Sequence, residues 1–375
     1  MSWWHDDDTL RRFVGDLVSA ELAVLRPTAP RTTVPTLDVD SLELVVLATA
    51  LNEALHLHES GVEELLLARP TLDGWVDVAR RGLDACSERM TFRTSGSTGE
   101  PKRCEHTLAA LSQEVDELAP MFAGQRRVLS AVRCHHIYGF LFTVLLPRTR
   151  PVVDLRNRLP VPAAWREGDL VIGHPEFWRA VAGSGSRVSR GIIGVTSTAP
   201  CPDDVAHRVV SLGLNALVQV YGSSETAGVG VRFAPDQPYA LLSFWERSEG
   251  NASALERVAP DGHRTLHAPP DLLEWSGDRE FLPVARHDDA IQVAGVNVFP
   301  SRVRQALLEH PDVDDAAVRY ANELWRLKAF VVPRDGRAGG AALHALLEEW
   351  VVNRLSAPER PKAFSFGNAL PRDAR

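Results

Sequence analysis

The chain has 375 residues, 45% of them hydrophobic and 24% charged, the make-up of a globular protein of two or three domains. Its formal net charge is -8 and it carries no dense run of Lys and Arg, which argues against a nucleic-acid partner. The acidic start, Met1 to Asp8, lacks the order of a signal peptide, and the apolar stretch from Phe140 to Leu146 is too short to span a bilayer. Cytoplasm is the expected setting. Cys86, Cys104, Cys134 and Cys201 form no CxxC pair and no close Cys/His spacing, so they read as free thiols.

In chain order, residues 9–26 read as an amphipathic helix, with Leu10, Phe13, Val14, Leu17 and Val18 on one face. A Pro/Thr-rich segment from Arg26 to Thr36 breaks it. Further helices are predicted over 41–57, behind Asp40, over 62–67, and from Thr71 with Leu72, Trp75, Val76 and Ala79 on the apolar face. Residues 1–85 thus read as a small helical bundle. Apolar runs at 127–132, 170–172, 191–195 and 216–221 then alternate with helical patterns, the rhythm of an α/β sheet. From Ile291 the order is strand, helix (301–310), strands at 316–320 and 327–332, and a helix over 340–355, a compact α+β unit. The expected division is 1–85, 86–287 and 288–375.

The segment Thr94-Ser95-Gly96-Ser97-Thr98-Gly99-Glu100-Pro101-Lys102 carries the clearest chemistry. Its glycines let the backbone approach a phosphate, successive N–H groups can form an anion nest, and three hydroxyls and Lys102 add donors and charge. Pro101 excludes the GxxxxGK[ST] loop. A surface Gly/Ser turn is the plain alternative. Four more segments follow: Cys134-His135-His136-Ile137-Tyr138-Gly139, Ser197-Thr198-Ala199-Pro200, Val220-Tyr221-Gly222-Ser223-Ser224-Glu225-Thr226, and Arg286 to Ile291 with Val293 to Pro300 after it. The histidine pair alone suggests a metal, but no third ligand stands at a sensible spacing. Tyr221 to Thr226 alone reads equally as a strand-to-turn link.

Taken together, these segments resemble the adenylate-forming superfamily of acyl- and aryl-CoA synthetases, nonribosomal adenylation domains and luciferase, over about residues 90 to 375. The resemblance implies an α/β large domain and a small α+β domain. It implies that Thr94, Ser95, Gly96, Ser97, Thr98, Gly99 and Lys102 hold the ATP phosphates and that Ser197, Thr198, Ala199 and Pro200 line the adenine. Tyr221 then stacks on adenine, Ser224 (Thr in the family) binds the α-phosphate, and Glu225 ligates magnesium. His136 and Gly222 border the acid pocket, Asp288 is the hinge and Gly295 lines the thiol tunnel. Ser276-Gly277-Asp278 looks like the family's Thr-Gly-Asp, yet the family's ribose Asp precedes its Arg by fifteen residues, which selects Asp271 before Arg286. Lys102, Ser224 and Glu225 are the catalytic candidates.

The implied reaction is attack of a carboxylate on the ATP α-phosphorus, giving acyl-AMP and pyrophosphate, followed by displacement of AMP by a thiol. Lys102, the hydroxyl/N–H loop and magnesium on Glu225 screen the charge as two anions meet. The chain departs from the family at both ends. Much of the usual start of the large domain is absent, and Leu370-Pro371-Arg372-Asp373-Ala374-Arg375 stops before the position of the family's Gly-Lys, whose Lys touches the acid. Weak adenylation, another cation in that role, or a trimmed sequence stay open.

Leu37-Asp38-Val39-Asp40-Ser41-Leu42-Glu43-Leu44 resembles the carrier-protein motif in which a Ser bears phosphopantetheine. Simple helix capping by Asp40 and Ser41 is the alternative. The carrier resemblance implies an all-α carrier-like four-helix bundle ahead of the adenylating domains, phosphopantetheine on Ser41, and a phosphopantetheinyl transferase as partner. The expected function is ATP-dependent activation of an aromatic or medium acyl acid and its transfer to CoA, or to its own or a separate carrier, in secondary-metabolite biosynthesis. Two alternatives stand beside it: a degenerate nucleotide-binding partner of a larger complex, and a plain acyl-CoA synthetase with a structural N-terminus.

Overall fold

A computed structural model describes residues 2–26, 38–94, 102–156, 158–248, 250–251, 254–286, 290–293, 296–321, 324–334 and 337–371. The described residues divide into two compact units. The larger is drawn from 1–22, 32–93 and 103–287, and the smaller chiefly from 288–375.

Four helices open the chain: α1 (Asp7–Leu25), α2 (Ser41–Leu55), α3 (Leu65–Ala68) and α4 (Leu72–Ala85). Asp40 caps α2 by accepting from the N–H groups of Leu42 and Glu43, while the Glu43 carboxylate accepts from Asp40 N–H, a complete capping box. Thr71 Oγ1 accepts from Gly74 N–H and starts α4. Strands β1 (Arg89–Thr94) and β2 (Lys102–Thr107) pair with each other and lead into α5 (Leu108–Leu118).

An α/β alternation follows: β3 (Arg127–Ser130), α6 (Ile137–Phe140, continued by a π turn over Leu141–Leu145), β4 (Val152–Asp154), β5 (Asp169–Gly173), α7 (Pro175–Ser184), β6 (Ile193–Thr196), α8 (Asp203–Ser211) and β7 (Ala216–Ser223). The chain then turns antiparallel through β8 (Ala227–Arg232) and β9 (Tyr239–Leu241). Strands β10 (Trp245–Arg247), β11 (Leu255–Val258) and β12 (Arg264–His267) make a separate small sheet. Strands β13 (Asp271–Trp275) and β14 (Glu280–Arg286) rejoin the main one, whose nine strands run β13-β14-β9-β8-β7-β6-β5-β3-β4.

Side chains of the parallel strands alternate between two cores, as the two-residue period of a strand requires. Val128, Leu170, Ile172, Val195 and Val218 face one, and Leu129, Val171 and Leu217 face the other. Helices α7 and α8 cover the second face through Trp178, Val181, Val205 and Val209. The first face belongs to the same continuous core as Leu10, Phe13, Leu47, Leu51, Trp75 and Leu83 of the opening helices.

That continuity corrects the expectation of a carrier domain. The helices are present, but they do not form a separate bundle, because their apolar stripes are needed to cover the sheet. Trp3 and Phe13 pack against Phe140 at ring distances of 5.2 and 5.7 Å. Asp40 and Ser41 act as a helix start, the capping alternative.

The smaller unit contains β15 (Ile291–Val293), β16 (Val296–Val298), α9 (Pro300–Leu308), β17 (Val313–Ala321), β18 (Arg326–Pro333), α10 (Ala341–Val352) and β19 (Ala363–Phe366). Val303, Leu307, Leu327, Ala329, Leu343 and Leu347 form its own core. Strand β19, parallel to β18, was not expected from the sequence. No helix among the described residues is long and apolar enough to cross a membrane.

Candidate active site

Parallel strands β3, β5, β6 and β7 end at Ser130, Gly173, Thr196 and Ser223, and the segments at 134–139, 197–200 and 220–226 lie at or just beyond the ends of β3, β6 and β7. Crevices outside the carboxyl ends of parallel strands are where α/β sheets place ligands. The Tyr138 hydroxyl lies 2.9 Å from Gly173 O and 3.1 Å from Val195 O, so it ties the ends of β5 and β6 together. Gly139 is required here because a Cβ would collide with the Arg133 carbonyl.

His135 is half-buried and His136 is exposed, with ring centroids 4.1 Å apart. Desolvation by the packed loop, with Arg133 close by, lowers both pKa values and favours the neutral imidazoles. The loop that carries them is held by a residue the sequence reading passed over. Asp16 of α1 accepts from the Cys134 backbone N–H at 2.9 Å, lies 3.1 Å from Cys134 Sγ, and pairs with Arg156. The only clue in the sequence was an acidic residue flanked by the apolar stripe of α1.

On the nucleotide side, Ser197 Oγ donates to Val220 O at 2.9 Å and links the ends of β6 and β7. Thr198 sits at φ +78 in the left-handed region. Buried hydroxyl oxygens of Thr196 and Thr198 lack a hydrogen-bond partner among the described residues. Such orphaned polar atoms at a strand end suit a polar ligand. Ala199 and Pro200 complete this loop.

Tyr221 and Asp271, chosen separately from the sequence, are brought together: the Tyr221 hydroxyl donates to Asp271 Oδ2 at 2.7 Å. Asp271 opens β13, opposite Arg286 at the end of β14. Asp278 lies at the far end of that hairpin, between Trp275 and Glu280, and is exposed.

Gly222 lies in an irregular step of the β7–β8 register, where a Cβ would collide with Ala227 O. The turn that follows is knotted by hydroxyls. Ser223 Oγ accepts from Glu225 N–H and Thr226 N–H, both at 3.2 Å, and Ser223 N–H donates to Thr226 Oγ1 at 3.0 Å. Ser224 and Glu225 are half-buried on it. A carboxylate and a hydroxyl on one rigid turn form the hard-oxygen donor set that magnesium takes, so the residues fit that ion.

Thr94 ends β1 and exposed Lys102 begins β2. Ser95, Gly96, Ser97, Thr98 and Gly99 between them, together with Asp288 and Gly295, lie outside the described residues.

Residues 90–243 match the family described as AMP-binding enzyme, and residues 303–375 match the AMP-binding enzyme C-terminal domain. The chain is 40% identical over 343 residues to a 4-coumarate–CoA ligase of Halorhodospira halophila, covering 89% of this chain and 86% of that one. It is 37% identical over 362 residues to a 4-coumarate–CoA ligase of Rhodobacter capsulatus, covering 91% and 89%. Among solved structures, an amide bond synthetase from Marinactinospora thermotolerans shares the fold at a TM-score of 0.64 and 19% identity, over 97% of this chain and 91% of that one.

Proposed function

Because the chain belongs to the AMP-binding enzyme family, we propose that it activates an aryl-propenoic acid of the 4-coumarate class with ATP and transfers the acyl group to CoA. The observation that carries the choice of acid is the name shared by the relatives at 40 and 37% identity. The general activity, ATP-dependent acid activation followed by transfer to CoA, is that of its family and relatives.

The chemistry runs in two displacements. A carboxylate oxygen attacks the α-phosphorus, the bond from that phosphorus to the bridging oxygen breaks, and pyrophosphate leaves. The CoA sulfur then attacks the acyl carbon, the carbon–oxygen bond of the mixed anhydride breaks, and AMP leaves. Tyr221 is the adenine platform in this proposal, and its hydroxyl orients Asp271 to accept from the ribose hydroxyls. Ser197 to Pro200 line the base. Ser224 donates to the α-phosphate, and Lys102 meets the outer phosphates with the loop from Thr94 to Gly99. Magnesium, held by Glu225, would neutralise phosphate charge as the carboxylate approaches. His136, its protonated form disfavoured by desolvation and Arg133, and Gly222 border the acid. Residues 86–287 and 288–375 are the two catalytic domains on this reading, with Asp288 as the hinge and Gly295 on the thiol's path.

Free CoA is the proposed acceptor in place of phosphopantetheine on Ser41. Two features support it: the Asp40–Glu43 capping box accounts for the local sequence, and the opening helices share the core of the larger unit. The test is a comparison of 4-coumarate, benzoate and octanoate with ATP, magnesium and CoA, following AMP and thioester together. The expected result is a kcat/KM for 4-coumarate at least tenfold above the others. Preference for octanoate overturns the assignment of the acid.

A further inference from the structure

The turn bearing Ser224 and Glu225 is held from behind through its main chain. Its three consecutive residues each meet, through the main chain, a side chain from a different strand. The His106 ring of β2 meets Ser224 O, with Nε2 at 2.7 Å. The His267 ring, at the end of β12, meets the main chain of Glu225. Arg257 of β11 donates to Thr226 O at 3.3 Å and to Ala110 O at 2.6 Å.

The three side chains are themselves fixed. Arg257 is 5% exposed and lies over the Phe244 ring at 4.3 Å. His267 packs edge-on against Trp245 at 5.1 Å. His106 is 8% exposed beside Phe92. Behind them Glu114 of α5, fully buried, accepts from Gly228 N–H at 3.0 Å. A bare Gly/Ser turn does not need three side chains holding its main chain. A half-buried carboxylate that must point in one direction does.

We propose that His106, His267 and Arg257 are positioning residues that clamp the main chain at Ser224, Glu225 and Thr226 and thereby aim the Glu225 carboxylate at the metal-bound phosphates of ATP. The inference rests on the nucleotide role of this turn proposed above. Each clamp residue acts through the main chain, so its contribution to binding is felt only with the metal present. The His106 imidazole, 8% exposed, is fixed with Nε2 at 2.7 Å from Ser224 O. The charged groups around it are Arg257, His267 and Glu225, with Glu114 and Glu117 bearing on Arg257.

The test measures ATP affinity by calorimetry, with magnesium chloride and then with EDTA, in wild type, His106→Leu, His106→Gln and His267→Leu. The expected result is unchanged affinity in EDTA, with the gain conferred by magnesium reduced about tenfold in both leucine variants. His106→Gln, which keeps a donor, should recover most of that gain. Turnover should fall through kcat, with the KM for the acid unchanged. His267 is half-buried at a strand end, so His267→Leu serves should His106→Leu fail to fold. A full magnesium-dependent gain in the leucine variants overturns the clamp while leaving the nucleotide site standing. A wild type that does not bind ATP overturns both.

Discussion

Glu114→Gln isolates one buried ionisation. Burial is the main force on this carboxyl and raises its pKa from an ordinary 4.5 to about 7, against the pull of Arg257 and of the Gly228 N–H. Between these values the folded protein keeps a proton that the unfolded chain releases. Stability from this group is therefore fully present below pH 4.5 and is lost as pH rises through 7. The full difference is about 3 kcal/mol, of which about 2 kcal/mol falls between pH 5 and 8. A glutamine has nearly the same shape, can still accept from Gly228 N–H, and does not titrate. Histidines such as His106, His135 and His136, whose lowered pKa values give the opposite slope, are common to both proteins and cancel in the comparison. Urea unfolding followed by tryptophan emission at pH 5, 6, 7 and 8 should show the variant gaining on wild type by about 2 kcal/mol across that range. Parallel pH profiles for the two proteins would refute the buried, proton-holding Glu114.

Two further outcomes follow from the proposed site. Glu225→Gln and Lys102→Ala should each lower acid-dependent pyrophosphate release by about 100-fold or more, as loss of a charge-stabilising group does; release at the wild-type rate in both variants would remove their assigned roles. Ser41→Ala should form CoA thioester at the wild-type rate, and wild type treated with CoA and a phosphopantetheinyl transferase should keep its mass. A gain of mass confined to chains with Ser41 would restore the carrier reading.

Some of this protein was legible in the linear chain because the physics is local. The amphipathic stripe of α1, the capping signal at Asp40 and the buried run of β5 each depend on neighbours within a few residues. The motifs at 94–102, 134–139, 197–200 and 220–226 are contiguous, so their family resemblance survives without a structure. Spacing selects Asp271 over Asp278 as the ribose candidate, and what only the fold adds is a hydrogen bond of 2.7 Å between Asp271 and the Tyr221 hydroxyl.

What the sequence could not supply was which surfaces need each other. Strands β8 to β14 are short, several are half-exposed, and they are joined by turns, so neither period nor length distinguishes them from loops. The four opening helices read as a free bundle because a helical stripe does not state what it will cover; only the sheet's first apolar face, the one that α7 and α8 leave open, turns them into part of the large unit. Asp16 under Cys134, and His106 and Arg257 under the Glu225 turn, are separated from their partners by between 31 and 118 residues. Such contacts are made by sheet order and burial. The chain alone names the candidate substrate-binding groups, and the tertiary structure decides which side chains from distant segments bond to them.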